Sequence, residues 1–309
     1  MNSGSAAIVN RKVYYGGGLT NSQSNNGLAD NLVHCYDPVT NCWTTLKARL
    51  QVKQFSLGRV DNELVATGGI IREITEDVQC GPRIQNTVYT FNKYGNEWLK
   101  EPIPAMRTAR CLHSTVSLQS ALVVAGGEVI SGGYTNTVEI FKVDEREWCE
   151  ARSLPVGLFN FSMALLDDAC CVVGGFNGQV LKQVYYANIE DLLGSASPQG
   201  HHTINAVWKT LPTNTPNRQS ASVSIAGNLL AIAGGGEVKP ETETKEPQSG
   251  VYVYSSSSKT WNHIGDLPTP LALCTAIKIS ALEILVIGGW ASEKEAFKNT
   301  VIKGRLHSL

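Results

Sequence analysis

No apolar run in the 309-residue chain approaches the roughly 20 residues that a bilayer-spanning helix needs. Nor does either charge dominate. With 26 basic and 27 acidic residues, the chain lacks the long-range field that collects nucleic acid or an anionic membrane, so neither partner is expected. Residues 1–5 (MNSGS) do not open the basic-then-apolar order of an export signal, and a cytoplasmic protein is expected. The eight cysteines show neither metal-ligand spacing nor the density of a disulfide framework; several, such as Cys170 and Cys171, sit inside apolar runs and read as buried free thiols. Also missing are a nucleophile motif, a phosphate-binding loop and a paired-carboxylate signature. The glycine runs 16–18 and 234–236 end apolar stretches with no helix after them, so they are not nucleotide sites. The six histidines, His34, His113, His201, His202, His263 and His307, have no ligand spacing to one another. No catalytic residue, metal or cofactor is expected.

What the chain does have is repetition. Apolar runs ending in a glycine pair recur six times, beginning at Gly16, Gly68, Gly126, Gly174, Gly234 and Gly288, at intervals of 52, 58, 48, 60 and 54 residues. One tryptophan follows each of the first five pairs: Trp43, Trp98, Trp148, Trp208 and Trp261. From each tryptophan to the next pair is 25 to 28 residues, whereas from a pair forward to its tryptophan is 22 to 34. The first segment is therefore geometrically fixed and insertions gather in the second. A period of this size marks one supersecondary unit that buries its apolar faces only by stacking on its neighbours.

Each unit reads as short strands. In the second they fall at 54–60, 63–67, 87–91 and 97–99, and four strands per period of about 50 residues is the signature of a β-propeller blade. Twelve positions before the first glycine stand Gly4, Ser56, Ser114, Ser162, Ser222 and Ala276, all small, as expected for an innermost strand crowded at a central axis. Strand three ends in an aromatic, Tyr36, Phe91, Phe141, Tyr186 or Tyr254, seven residues before the tryptophan in four units. In the fourth that gap is 22 residues, which places a 15-residue insertion within 189–206, between strands three and four. The sixth unit has Gly304 at the aromatic position and its strand-four tryptophan position falls past Leu309, so its fourth strand is expected to be missing. Either the ring closes with a three-stranded blade or, the favoured reading because an open blade leaves an unpaired edge, the chain is a propeller cut from a longer protein.

A double glycine after an apolar strand, then an aromatic, then a tryptophan at fixed spacing resembles the kelch repeat, and the resemblance spans the chain. It implies an all-β fold, a six-bladed kelch β-propeller over 1–309 with four antiparallel strands per blade and the sixth incomplete; the blades would be 1–50, 51–104, 105–155, 156–213, 214–268 and 269–309. It also implies a non-catalytic protein–protein interaction module, either the substrate-recognition propeller of a ubiquitin-ligase adaptor or a binder of cytoskeletal or scaffold proteins. Some kelch propellers are enzymes, among them copper radical oxidases and sialic acid epimerases. A sugar-active enzyme is the alternative left by the resemblance.

In an up-and-down meander the loops joining strands two and three share a face with the links that run from strand four into the next blade. Variable loops on a rigid scaffold are where binding concentrates, so that face is the candidate surface. Loops 70–85 and 237–249 bring charges to it, and Tyr134, Phe176 and Trp290 bring apolar tips. The links add Arg49, Arg107, Arg110, Phe159, Asn160 and Arg218. Arg49 and Arg107 lie nineteen residues before their glycine pairs, and Arg110 and Arg218 sixteen. Arginines at matching sites of a ring are expected to converge on the channel mouth and grip an acidic protein or peptide. Their competing role is to hold turns or pair with nearby carboxylates.

Overall fold

Apolar alternation in the short runs produces five four-stranded antiparallel sheets and one of three strands in the computed structural model. It describes residues 4–18, 32–71, 83–100, 102–130, 132–197, 207–212, 222–226, 229–238, 245–280, 283–291 and 301–305, with the backbone alone for 222–226, 229–233, 236–238 and Lys245. The blades comprise Ser5–Val9, Lys12–Gly16, His34–Asp37 and Cys42–Thr45; Ser56–Val60, Glu63–Thr67, Val88–Asn92 and Glu97–Leu99; Ser114–Ser117, Ala121–Ala125, Val138–Lys142 and Glu147–Ala151; Phe159–Leu166, Ala169–Phe176, Tyr185–Asn188 and Lys209–Thr210; and Ser222–Ala226, Leu229–Ala233, Gly250–Ser255 and Thr260–Asp266. Within each, successive strands pair as a meander, and the whole is a β-propeller.

Among the described residues five blades are complete, which corrects the expected count of six blades with an incomplete sixth. The last repeat supplies Thr275–Lys278, Glu283–Ile287 and Val301–Arg305. This sheet sits against the first blade: Thr275 Oγ1 donates to Gly4 O at 2.5 Å, and Leu285 and Ile287 pack with Val13, Tyr15 and Tyr36. Gly304 pairs with Ile284 in the register where Phe141 faces Leu122 and Tyr254 faces Leu230. Without that ring, a fourth-strand tryptophan has nothing to stack on.

The core lies in the seams between blades. Phe141 and Trp148 of blade three, for instance, bury against Val65 and Val88 of blade two. The spacing of seven residues is explained by direct pairing: Tyr36–Trp43, Phe91–Trp98, Phe141–Trp148 and Tyr254–Trp261 are tilted pairs with centroids 5.1 to 5.4 Å apart. The Trp148 indole N–H also donates to Pro104 O (2.8 Å) and that of Trp208 to Arg152 O (2.9 Å), tying each incoming link to its blade. From the second glycine pair onward both residues are left-handed, whereas in the first only Gly17 is. At Gly126 (φ 63°) and Gly127 (φ 104°) a Cβ would stand 2.7 Å from Leu158 O and from Cys111 O respectively.

The innermost strands correct the reading of the small residues. Ser56 pairs with Thr67, Ser114 with Ala125 and Ser162 with Val173, each partner being the residue before a glycine pair. In the first and last units the same register falls on Ser5, opposite Gly16, and Thr275, opposite Ile287, rather than on Gly4 and Ala276. The position selects a hydroxyl. Ser5 Oγ accepts from Leu57 N–H (2.9 Å) and Ser114 Oγ from Met163 N–H (3.0 Å), so one blade's hydroxyl satisfies the next blade's backbone.

The blade-four insertion folds in part as a helix, Ile189–Gly194, rather than a plain loop. Asn188 caps it through Glu190 N–H (2.9 Å) and Asp191 N–H (3.4 Å), and Leu192 buries beneath it. Ser197 and Ser195 then pair with Glu150 N–H and Arg152 N–H at the edge of blade three. Of seven described cysteines, all free, six are buried and Cys42 is exposed. Burial pushes the Cys111 and Cys171 thiols up to about 12, which keeps them protonated and unreactive near neutral pH. No helix among the described residues is long and apolar enough to cross a membrane.

Candidate partner-binding site at the channel mouth

Two residues before the inner-strand hydroxyl, in four of the units, the chain turns sharply out of the incoming link. Gln54, Leu112, Asn160 and Leu273 occupy this position with φ of 55°, 53°, 52° and 55°. A left-handed conformation is costly for a side chain with a Cβ and persists only where surroundings enforce it. The enforcement is a relay of backbone hydrogen bonds between blades: Gln54 N–H to Gly17 O (2.8 Å), Leu112 N–H to Gln54 O (3.1 Å) and Asn160 N–H to Leu112 O (3.0 Å). Together they form a rim. It encloses a cavity of about 110 Å³ lined by Gln54, Asn160, His113, Leu112 and Leu273, with Ser5, Ser56, Ser114, Ser162 and Thr275 below. Among the described residues, no acidic, lysine or arginine side chain lines it.

Beside the rim, aromatic side chains from three segments meet. Tyr134, in the loop between strands two and three of blade three, stacks on Phe159, the first residue of blade four's first strand, at 4.7 Å and 26°. Phe159 meets Phe176, at the end of blade four's second strand, edge-on at 5.7 Å and 83°. Gly157 allows this approach, since a Cβ there would collide with Tyr134 O. Tyr134 remains 41% exposed, and Ile130 in the same loop is 73% exposed. Because Phe159 is followed by Asn160 and Phe161, both lining the cavity, the aromatic surface and the polar mouth are continuous.

The arginines expected to grip an acidic ligand have other places. Arg110 is fully buried, and this corrects its assignment to the binding surface. Its Nη2 pairs with Glu139 Oε1 (2.5 Å) and donates to Thr137 Oγ1 (2.8 Å), while Nη1 donates to Gly126 O (2.7 Å) and Thr137 O (3.1 Å). Glu139 also accepts from Arg107 N–H (2.7 Å) and Thr108 N–H (3.0 Å), so the pair holds the link between blades two and three. Arg107 is exposed, with its Nε donating to Trp148 O (3.2 Å). Arg49 is exposed on the preceding link, and Arg218 lies outside the described residues. Trp290 is the three-stranded sheet's counterpart of Phe176, pairing by backbone with Ala272 (2.8 and 2.9 Å) where Phe176 pairs with Phe159. It stands apart from the aromatic group.

Gln54, Leu112, Leu273 and His113 were not singled out from sequence; the signal that finds them is the hydroxyl two residues, or for His113 one residue, further on. His113 is buried, with Nε2 2.8 Å from Thr67 Oγ1. Burial, and then the nearby Arg110 charge, hold its pKa well below the ordinary histidine value. An unfolded chain therefore takes up a proton near pH 6.5 that the folded chain refuses. Stability is full above about pH 6.5 and is expected to fall below it by about 1.4 kcal/mol per pH unit for this group, down to the folded pKa. Urea titrations near pH 7 and pH 5.5 compared with His113→Gln check this; the variant should lose that part of the acid dependence. Of the other described histidines, His34 lies in blade one and His263 in blade five.

Comparison with known proteins agrees with the geometry. The Kelch motif matches residues 109–155, which contain Arg110, the glycine pair, Glu139 and Trp148. Kelch-like protein 40 of Xenopus laevis is 23% identical over 279 residues, 77% of this chain and 45% of that protein. Kelch-like protein terF of Aspergillus terreus is 22% identical over 297 residues (92% and 60%), and an F-box/kelch-repeat protein of Arabidopsis thaliana 22% over 269 residues (85% and 59%). The chain thus spans about half the length of the curated relatives it matches. The solved structure of YjhT superposes with a TM-score of 0.75 at 18% identity, covering 98% of this chain and 97% of that one, which is a likeness of fold. Motif, relatives and architecture together make this chain similar to kelch-repeat proteins, with the fold of a β-propeller.

Proposed function

We propose that this propeller is a non-catalytic protein-recognition module, and that it binds its partner through Tyr134, Phe159 and Phe176 beside the channel mouth. The observation that carries the reading is the convergence of three aromatics from separate segments on one accessible surface. Rigid aromatic anchors next to fixed polar groups are what dominates binding energy at protein interfaces. An uncharged lining at the mouth and the buried Arg110 favour a partner that presents an apolar side chain and neutral polar groups over a strongly acidic one. In this reading the three-stranded sheet serves as the sixth blade of the ring.

For the whole protein, the role proposed is substrate recognition within a ubiquitin-ligase adaptor; the F-box in the name of the Arabidopsis relative supports it. The test is affinity capture with the native propeller beside Phe159→Ala and Arg107→Ala, followed by titration of the captured protein. Phe159→Ala is expected to cost about 2 kcal/mol of binding, roughly thirtyfold in Kd, with its melting transition retained. Arg107→Ala and added salt are expected to change little. A partner released by salt and by Arg107→Ala but held by Phe159→Ala would refute this site.

A further inference from the structure

The turn that seats Phe176 carries the pair Asn177-Gly178. Phe176 bridges to Val180 across this turn, and within it Asn177 Oδ1 accepts from Gln179 N–H at 3.4 Å while Asn177 N–H donates to Gln179 O at 3.2 Å. The side-chain bond closes a ring that encloses the Gly178 nitrogen, so the amide carbonyl is folded back across the peptide bond that follows it. Gly178 is exposed, its φ is 101°, and no atom lies within 4 Å of where a Cβ would stand. The peptide nitrogen has no side chain of its own to shield it and an electrophilic carbon held near it.

We propose that Asn177 is a spontaneous deamidation site, and that its conversion to isoaspartate alters the aromatic surface beside the channel mouth. The Gly178 nitrogen, losing its proton to solvent base, attacks Asn177 Cγ. A new bond forms between that nitrogen and Cγ, the bond from Cγ to the amide Nδ2 breaks, and ammonia leaves with its third proton taken from water. The resulting five-membered imide is opened by one water molecule. Attack at the carbonyl of the former side chain leaves aspartate; attack at the main-chain carbonyl leaves isoaspartate, with the backbone routed through the former side chain. Overall, one water is consumed and one ammonia released, with no change in oxidation state.

Both products place a carboxylate beside Phe176 on a surface with an uncharged mouth. Isoaspartate also adds a methylene to the backbone of the three-residue turn, which disturbs the register that lets Phe176 face Val180 and meet Phe159. The consequence for binding rests on the partner site proposed above; the chemical conversion does not.

The experiment follows the full chain, held at mildly alkaline pH and body temperature, by peptide mass mapping with isoaspartyl methyltransferase labelling. A free peptide of sequence 172–182 and the Asn177→Gln variant run in parallel. The peptide carrying Asn177 is expected to gain the mass of amide-to-acid conversion and an isoaspartyl label at a rate close to that of the free peptide, faster at higher pH, with neither change in Asn177→Gln. An Asn177 that stays intact in the folded chain after the free peptide has converted would overturn the proposal. Separately, aged native protein is expected to lose the captured partner while aged Asn177→Gln keeps it. Full conversion with unchanged binding would leave the modification site standing and remove its effect on the surface, thereby refuting that half of the proposal.

Discussion

Glu139→Ala is expected to cost the propeller about 3–5 kcal/mol, because it leaves the buried Arg110 guanidinium without its counter-charge. The loss goes further than one ion pair. The same carboxylate accepts the N–H groups of Arg107 and Thr108, and each orphaned donor adds about 1–3 kcal/mol if it stays dry. That sum is a large share of the roughly 5–15 kcal/mol by which a domain is stable. Urea unfolding should show a lower midpoint with an unchanged slope. The double replacement Arg110→Met/Glu139→Leu removes both charges together and is expected to be less damaging than Glu139→Ala, recovering the electrostatic penalty but not the two N–H groups. A Glu139→Ala protein that unfolds at the native midpoint would show that this pair is not the brace the geometry describes. Charge reversal at Arg110 is for the same reason unsuited to mapping a binding surface, since it would abolish binding by unfolding the link.

Trp148→Ala is expected to cost about 3–5 kcal/mol, and Trp43→Ala substantially less, although the two occupy the same place in the repeat. Trp148 is 5% exposed, packs with Phe141 in the seam with blade two and donates to Pro104 O; Trp43 is 38% exposed. Truncation at Trp148 removes a buried ring, opens a cavity and leaves Pro104 O without its donor. At Trp43 mainly the contact with Tyr36 is lost. Thermal and urea unfolding of the two variants side by side measure the difference. Equal costs would mean that the ring pair within a blade, rather than burial between blades, sets the value of the tryptophan.

Much of the architecture is legible from sequence because its causes are local and repeated. Five of the six glycine pairs are left-handed at both residues, and in four blades the strand-three aromatic reaches a tryptophan seven residues on, whatever the loop between strands two and three does. The same periodic logic misjudged Gly4 and Ala276. In the first repeat a third glycine, and in the last one extra residue, shift the alignment by one, and in a strand a shift of one residue exchanges the two faces. Counting from the glycine pair cannot detect this, whereas the hydrogen-bond register shows it directly.

Arginine placement was less legible still. Arg107 and Arg110 both matched arginines elsewhere in the repeat, yet one is exposed and the other is sealed in the interior. Their fates depend on Glu139, on a strand of the next blade, whose charge can be desolvated only against a partner at close range. Similarly, Tyr134, Phe159 and Phe176 lie in three segments whose contact depends on how a loop of one blade meets a strand start and a strand end of the next. Residue spacing alone thus carries the β-propeller, its repeat boundaries and its glycine and tryptophan skeleton, because these follow from backbone geometry and short-range pairing. Which charged groups are buried, which hydroxyls bridge the blades and which aromatics form a surface emerge only when the blades pack, because each depends on distances between residues that no spacing along the chain encodes.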